Sequence, residues 1–219
     1  MKKKEKKEDL KALFYPNVPF DTLFIPYIYR EIYFEGIYTD VLNASNREMT
    51  IVDVGSNIGV TVQHFREYAK KVYAIEPSPE HFAALKKNKE FNGWDNVEIF
   101  NMAIADKCGK MTLSQNDANR TCNSLVLNYG HGVEVETMDF ETFFKKNKIE
   151  NVDFMKFDVE GAEDMILRSE SFRKVAHKIK QIEVEFHFPS WPQLVEYMVS
   201  LGYQARRYES SAIVVMFFR

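Results

Sequence analysis

The chain of 219 residues has the length of one domain with a modest N-terminal extension, and its 45% hydrophobic and 14% aromatic content supports a large core and excludes a disordered chain. A formal charge of −3 gives no overall pull toward nucleic acid. Cys108 and Cys122 lack zinc-ligand spacing and suit a reducing compartment, and no apolar run reaches the ~18 residues needed to cross a bilayer.

Lys2, Lys3, Lys4, Lys6, Lys7 and Lys11 crowd the start and read as a solvated tail. Glu5, Glu8 and Asp9 follow instead of an apolar stretch, so no signal peptide and a cytoplasmic location are expected. Residues 1–45 are expected to form an N-terminal extension and residues 46–219 the domain proper. From Leu13 to about Leu42, prolines interrupt a run of aromatics that need burial, so this stretch is expected to wrap the main body.

Beyond it, strand and helix patterns alternate. Thr50 to Val54 is an apolar run ending at Gly55, and Val62, Phe65 and Ala69 follow at helical spacing. Val72 to Ile75 reads as a strand. Ser78-Pro79 reads as an N-cap and first helical residue, with Asn92-Gly93 as the stop. Val97 to Ile104 predicts a third strand, and shorter β-like pieces lie between Met111 and Glu136. Phe140, Phe143 and Phe144 predict a helix, Val152 to Asp158 a buried strand, and Ala162, Met165 and Ile166 another helix. Lys180 to Phe186 is strand-like. Ser190-Trp191-Pro192-Gln193 has capping-box spacing before a helix that Gly202 ends, and two strands close the chain. The pattern predicts an α/β fold: a doubly wound, mostly parallel seven-stranded sheet with an antiparallel C-terminal strand pair.

Four pieces carry chemistry. Gly55, Asn57 and Gly59 form a G-x-N-x-G loop after the first strand, where glycine lets backbone approach a ligand at a helix N-terminus. A dinucleotide fingerprint would need glycine where Asn57 and Val60 stand, which disfavours a dehydrogenase. Asn57 offers an amide to an amino-acid moiety, and Asp53 offers a carboxylate to an ammonium or sulfonium. Glu76, with Pro77, ends the second strand 23 positions after Asp53, where a carboxylate can accept from ribose hydroxyls.

The third piece is Lys156-Phe157-Asp158-Val159-Glu160-Gly161-Ala162-Glu163. Asp158 and Glu160 sit at the carboxyl end of an apolar strand, where open α/β sheets bind ligands, whereas Glu163 and Asp164 suit a helix dipole. The fourth is Glu183-Val184-Glu185-Phe186-His187. Period-two spacing puts Glu183, Glu185 and His187 on one face, with His187 placed to accept a proton. The set reads as a site without a metal; Asp158, Glu185 and His187 are the residues that would otherwise make an oxygen- and nitrogen-rich metal site.

The runs VDVGSNIG, AIEPSP, NMAIADKCG, CNSL, KFDVEGAE and EVEFH resemble the FkbM family of S-adenosylmethionine-dependent methyltransferases. The similarity covers about Thr50 to His187, with REIYFEGIY upstream similar to the family's opening segment. It implies a class I methyltransferase fold and O-methylation of a hydroxyl on a sugar, glycoconjugate or small metabolite. It implies too that Asp53, Gly55, Asn57 and Gly59 hold the methionine half of the cofactor and Glu76 the ribose. Ala103 and Ile104 would lie near the adenine, and Asn123 and Ser124 on the reaction side. His187 is then the expected general base, with Glu185 or Asp158 orienting it. Two other readings stay open. One is an RNA methyltransferase drawing on the lysine-rich start and Arg206-Arg207, disfavoured by the absence of an N-P-P-[YF] tetrapeptide. The other is a non-catalytic cofactor-binding protein.

Overall fold

The structure is a computed structural model describing residues 48–219, apart from 118, 120, 121 and 209–211, together with Ile32, Tyr38 and Leu42. The lysine-rich start and the rest of the expected extension lie outside the described residues.

Strand β1 (Met49–Val54) carries the apolar run expected of a strand buried on both faces, and it pairs in parallel with β2 (Ala69–Ile75) and β7 (Val152–Phe157). With β3 (Val97–Phe100), β8 (Ile179–Phe186), β9 (Gln204–Arg207) and β10 (Ile213–Phe218) these make a seven-stranded sheet of order β3-β2-β1-β7-β8-β10-β9. β10 runs antiparallel to both β8 and β9, as the sequence predicts for the chain end.

Alternation along each strand sends side chains to two cores. Val52, Met155, Phe157, Val184 and Phe217 join one, covered by helices α3 (Phe140–Lys146), α4 (Glu163–Leu167), α5 (Glu170–Val175) and α6 (Trp191–Ser200). Ile51, Phe154 and Met216 join the other, covered by α1 (Val60–Phe65) and α2 (Pro79–Asn92). Ile32, Tyr38 and Leu42 are buried in this second core, and Tyr38 packs edge-on against Phe65 with ring centroids 4.9 Å apart.

The local signals hold at Ser78, whose hydroxyl accepts from the His81 amide, and at Gly93, which caps α2 in the left-handed region at φ 59°. Elsewhere the structure corrects the sequence. Ala69 opens β2 instead of extending α1, which ends at Phe65. Val97 to Ile104 is not one strand: Asn101 donates to the Glu76 and Pro77 carbonyls, and the chain leaves the main sheet. β4 (Ala103–Ile104) then belongs to a second, three-stranded sheet with β6 (Gly132–Met138) and β5 (Gly109–Ser114). Ser190 makes no side-chain cap despite its spacing. α5, absent from the sequence reading, is capped by Ser169 accepting from Phe172.

Candidate active site

The site lies where β1, β7 and β8 end, on either side of the loop after β1. Gly55 (φ 85°), Asn57 (φ 50°) and Gly59 (φ 95°) are all left-handed, so the loop is a tight reversal. The reason for the two glycines differs from ligand approach alone. A Cβ on Gly55 would collide with the carbonyl oxygen of Asp158, and one on Gly59 would lie 2.7 Å from Leu85 and 2.9 Å from the Trp94 ring. The first glycine lets β1 and β7 meet; the second lets α1 start under α2.

Glu76 is buried and binds the loop before any ligand does. One carboxylate oxygen accepts from the Asn57 amide and the other from the Ser78 amide, both at 2.8 Å. His81 Nδ1 also stands 3.6 Å from the oxygen that accepts from Ser78, so the oxygen bound to Asn57 is the one with a second lone pair for a ribose hydroxyl. Asn57 spends its side-chain oxygen on the Ile58 amide. Asp53 is fully buried, and one of its oxygens accepts from Thr61 at 2.5 Å. Burial drives its carboxyl up from the usual range, opposed by Lys156 and by the Thr61 hydroxyl.

Among the described residues, three buried polar atoms with no hydrogen-bond partner gather around Gly55: Asp53 Oδ1, Ser56 Oγ and Asp158 Oδ1. Such atoms are costly unless a ligand completes them, and this trio fits a zwitterionic, cationic cofactor end. Ala103 and Ile104, expected near an adenine, are both buried; Ala103 packs with Leu113 and Val135, while Ile104 belongs to the first core.

A second cluster, just past the end of β8, centres on His187. Its Nδ1 lies 2.8 Å from Glu163 Oε1. Its Nε2 lies 3.4 Å from Glu160, 3.7 Å from Glu185 and 3.9 Å from Asp158. One imidazole therefore stands among four carboxylates. Burial lowers its pKa, but the Glu163 hydrogen bond and the surrounding negative charge outweigh this and push it up to about 9. Glu160, desolvated and facing Asp158, is pushed up to about 7. Glu160 also takes a left-handed backbone (φ 51°), held by the buried Ser124 hydroxyl, which donates to its carbonyl at 2.6 Å.

The expected site residues Asp158, Glu160, Glu185 and His187 are thus brought together beside the loop of Gly55 and Asn57, which Asp53 of β1 precedes and Glu76, following β2, holds. Glu163 is the partner that sequence reasoning missed: acids in a helix's first turn are commonplace, and only its burial and its bonds to His187 and the Gly161 amide mark it. Lys156, quoted only within its motif, proves buried beside Asp158. For a cation, Glu160 replaces Glu185 in the expected set. Asp158, Glu160 and His187 each present a ligand atom within 4.8 Å of the others, a spacing that a protonated ring fills as well as a divalent ion.

The sequence model of the methyltransferase FkbM domain matches residues 53–205. "Methyltransferase 1" of Beauveria bassiana (strain ARSEF 2860) is 27% identical over 173 residues, which cover 68% of this chain and 69% of that protein. Among solved structures, the methyltransferase FkbM from Methylobacillus flagellatus KT superposes with a TM-score of 0.54 at 14% identity. It covers 97% of this chain, which spans only 57% of that one. An rRNA methylase from Streptococcus thermophilus gives a TM-score of 0.56 at 13% identity over 83% of this chain and 93% of the other. The fold is that of class I methyltransferases, and the cofactor is S-adenosylmethionine. With more than half of its length matched and its glycine loop and KFDVEGAE segment inside that match, the chain belongs to the FkbM family of S-adenosylmethionine-dependent methyltransferases.

Proposed function

We propose that this methyltransferase transfers its methyl group to the hydroxyl of a sugar, glycoconjugate or small metabolite. The observation that carries the reading is contiguity. Asp158 packs its backbone against Gly55 of the cofactor loop, while its Oδ1 lies 3.9 Å from His187. The methyl-donor loop and a cluster able to take a proton are one structure.

Methyl transfer is an in-line displacement at a carbon activated by the sulfonium that S-adenosylmethionine supplies, and the protein's task is alignment and proton removal. Asp53 and Ser56 offer acceptors to the amino-acid end, and Glu76 to the ribose. The acceptor hydroxyl must lose its proton as its oxygen attacks carbon. His187 was the expected base, but a ring that keeps its own proton to about pH 9 has no free lone pair at neutrality. Glu160, whose carboxyl is poised at about 7, is the member of the cluster matched to that step. Protonated His187 then holds Asp158, Glu160 and Glu185 together and offsets their repulsion. Ser124 fixes Glu160, and Asp158 orients the acceptor.

RNA is the competing acceptor, since an rRNA methylase shares the fold. Four carboxylates at the acceptor side would repel a phosphate backbone, which favours an uncharged hydroxyl. The deciding experiment incubates the protein with methyl-labelled S-adenosylmethionine and cell fractions of glycans, lipids, small molecules and RNA. Base-stable label in a glycan or small-molecule fraction supports O-methylation of a hydroxyl. Label confined to RNA overturns it.

A further inference from the structure

Asp53, Lys156 and Glu183 form one row across three neighbouring strands, because Asp53 pairs with Lys156 in the β1–β7 ladder and Lys156 with Glu183 in the β7–β8 ladder. All three are buried on the face where Tyr38 packs. An ammonium removed from water must be repaid by partners. Those of Lys156 are Asp158 Oδ2 at 3.0 Å, the Gly55 carbonyl at 3.4 Å and Asp53 Oδ1 at 4.0 Å. Gly55 and Asp53 belong to the cofactor loop, whereas Asp158 belongs to the acceptor side. Lys156 thus touches both halves of the site from beneath.

Its hold on Asp158 is directional. Oδ2 is engaged by the ammonium, which leaves Oδ1, without a hydrogen-bond partner among the described residues, facing His187 at 3.9 Å. We propose that Lys156 is a positioning residue for methyl transfer, its ammonium clamping Asp158 through one oxygen and tying it to the Gly55 carbonyl so that donor loop and acceptor carboxylate keep one register. This rests on the reading of Asp53 and Asp158 as site residues.

The charge environment gives the proposal a readout that needs no acceptor. Facing Lys156 are Asp53 from β1, Asp158 at the end of its own strand, and Glu183 and Glu185 from β8, with Tyr38 behind Glu183 and Glu76 beyond Asp53. Apart from Tyr38 these are all acids. Burial pushes Glu183 up to about 8, so it holds a proton at neutrality with Lys156 in place. Deleting the Lys156 ammonium removes the largest influence that lowers the buried Asp53, whose carboxyl then rises further. A neutral Asp53 loses its attraction for the cationic end of the cofactor.

The test is calorimetric affinity for S-adenosylmethionine from pH 6.5 to 8.5 in the wild type, Lys156→Met and Lys156→Arg, with melting temperatures alongside. The ratio of dissociation constants, Lys156→Met over wild type, is expected to grow as pH falls across that range, by at most about tenfold per pH unit, the limit for one proton uptake. Lys156→Arg, which keeps the cation, should hold the ratio nearly flat. A ratio independent of pH in Lys156→Met overturns the proposal and makes Lys156 a packing residue. If Lys156→Met fails to fold, Lys156→Met/Asp158→Asn removes the orphaned charge. Recovery of fold there supports the clamp, and failure to recover overturns it. Loss of cofactor binding in the wild type would instead strike the placement of the cofactor site, with Lys156 unaltered.

Discussion

Titration of His187 tests the electrostatics of the cluster most directly. A rise from 6.5 to about 9 means that the fold binds imidazolium better than imidazole by ~3 kcal/mol, at about 1.4 kcal/mol per unit. Because the folded value lies above the unfolded one, this stabilisation is fully present below pH 6.5 and is lost as pH rises toward about 9. Glu163 supplies the shortest contact, at 2.8 Å, and is itself 2% exposed. Replacing it with glutamine keeps a hydrogen-bond acceptor but removes the charge, worth about 1.5 kcal/mol, so the midpoint should fall by about one unit. The assay is NMR observation of the imidazole carbon-bound protons in wild type and Glu163→Gln, with thermal melts at each pH. A wild-type midpoint near 6.5, or one unmoved in Glu163→Gln, would refute the account of His187 as the cation of the cluster.

Glu160→Gln is expected to slow methyl transfer ~100-fold while leaving cofactor affinity within about twofold, and to abolish the acid limb of the rate profile near pH 7; an unchanged rate would remove Glu160 as base. Glu76→Ala should weaken cofactor binding at least ~10-fold by calorimetry, since it loses the ribose partner and frees the Asn57 and Ser78 amides together. Gly59→Ala should destabilise the fold by ~2–4 kcal/mol in urea denaturation, combining left-handed strain with the clash on Leu85 and Trp94; a cost under ~1 kcal/mol would mean the loop shifts freely.

Much of the site was legible before folding because its signals are local. Gly55 after an apolar run, Glu76 at the end of the next, and Ser78-Pro79 and Gly93 around a helix each depend on a few consecutive residues. Strand alternation was enough to put Glu183 and Glu185 on one face. The break at Asn101 was not legible, since its amide bonds to carbonyls 24 and 25 positions away. Nor was the missing side-chain cap at Ser190, whose spacing matches one.

By itself the sequence determined most of the alternation of strands and helices, the antiparallel close of the sheet, and the carboxylates and histidine gathered at strand ends. Period and capping encode these within a turn or a strand. Only the tertiary structure decided their chemical states. Glu163 becomes the partner of His187, Glu160 the carboxyl poised near neutrality, and Lys156 the buried cation joining Gly55 to Asp158, because pKa values and burial depend on groups far apart in the chain.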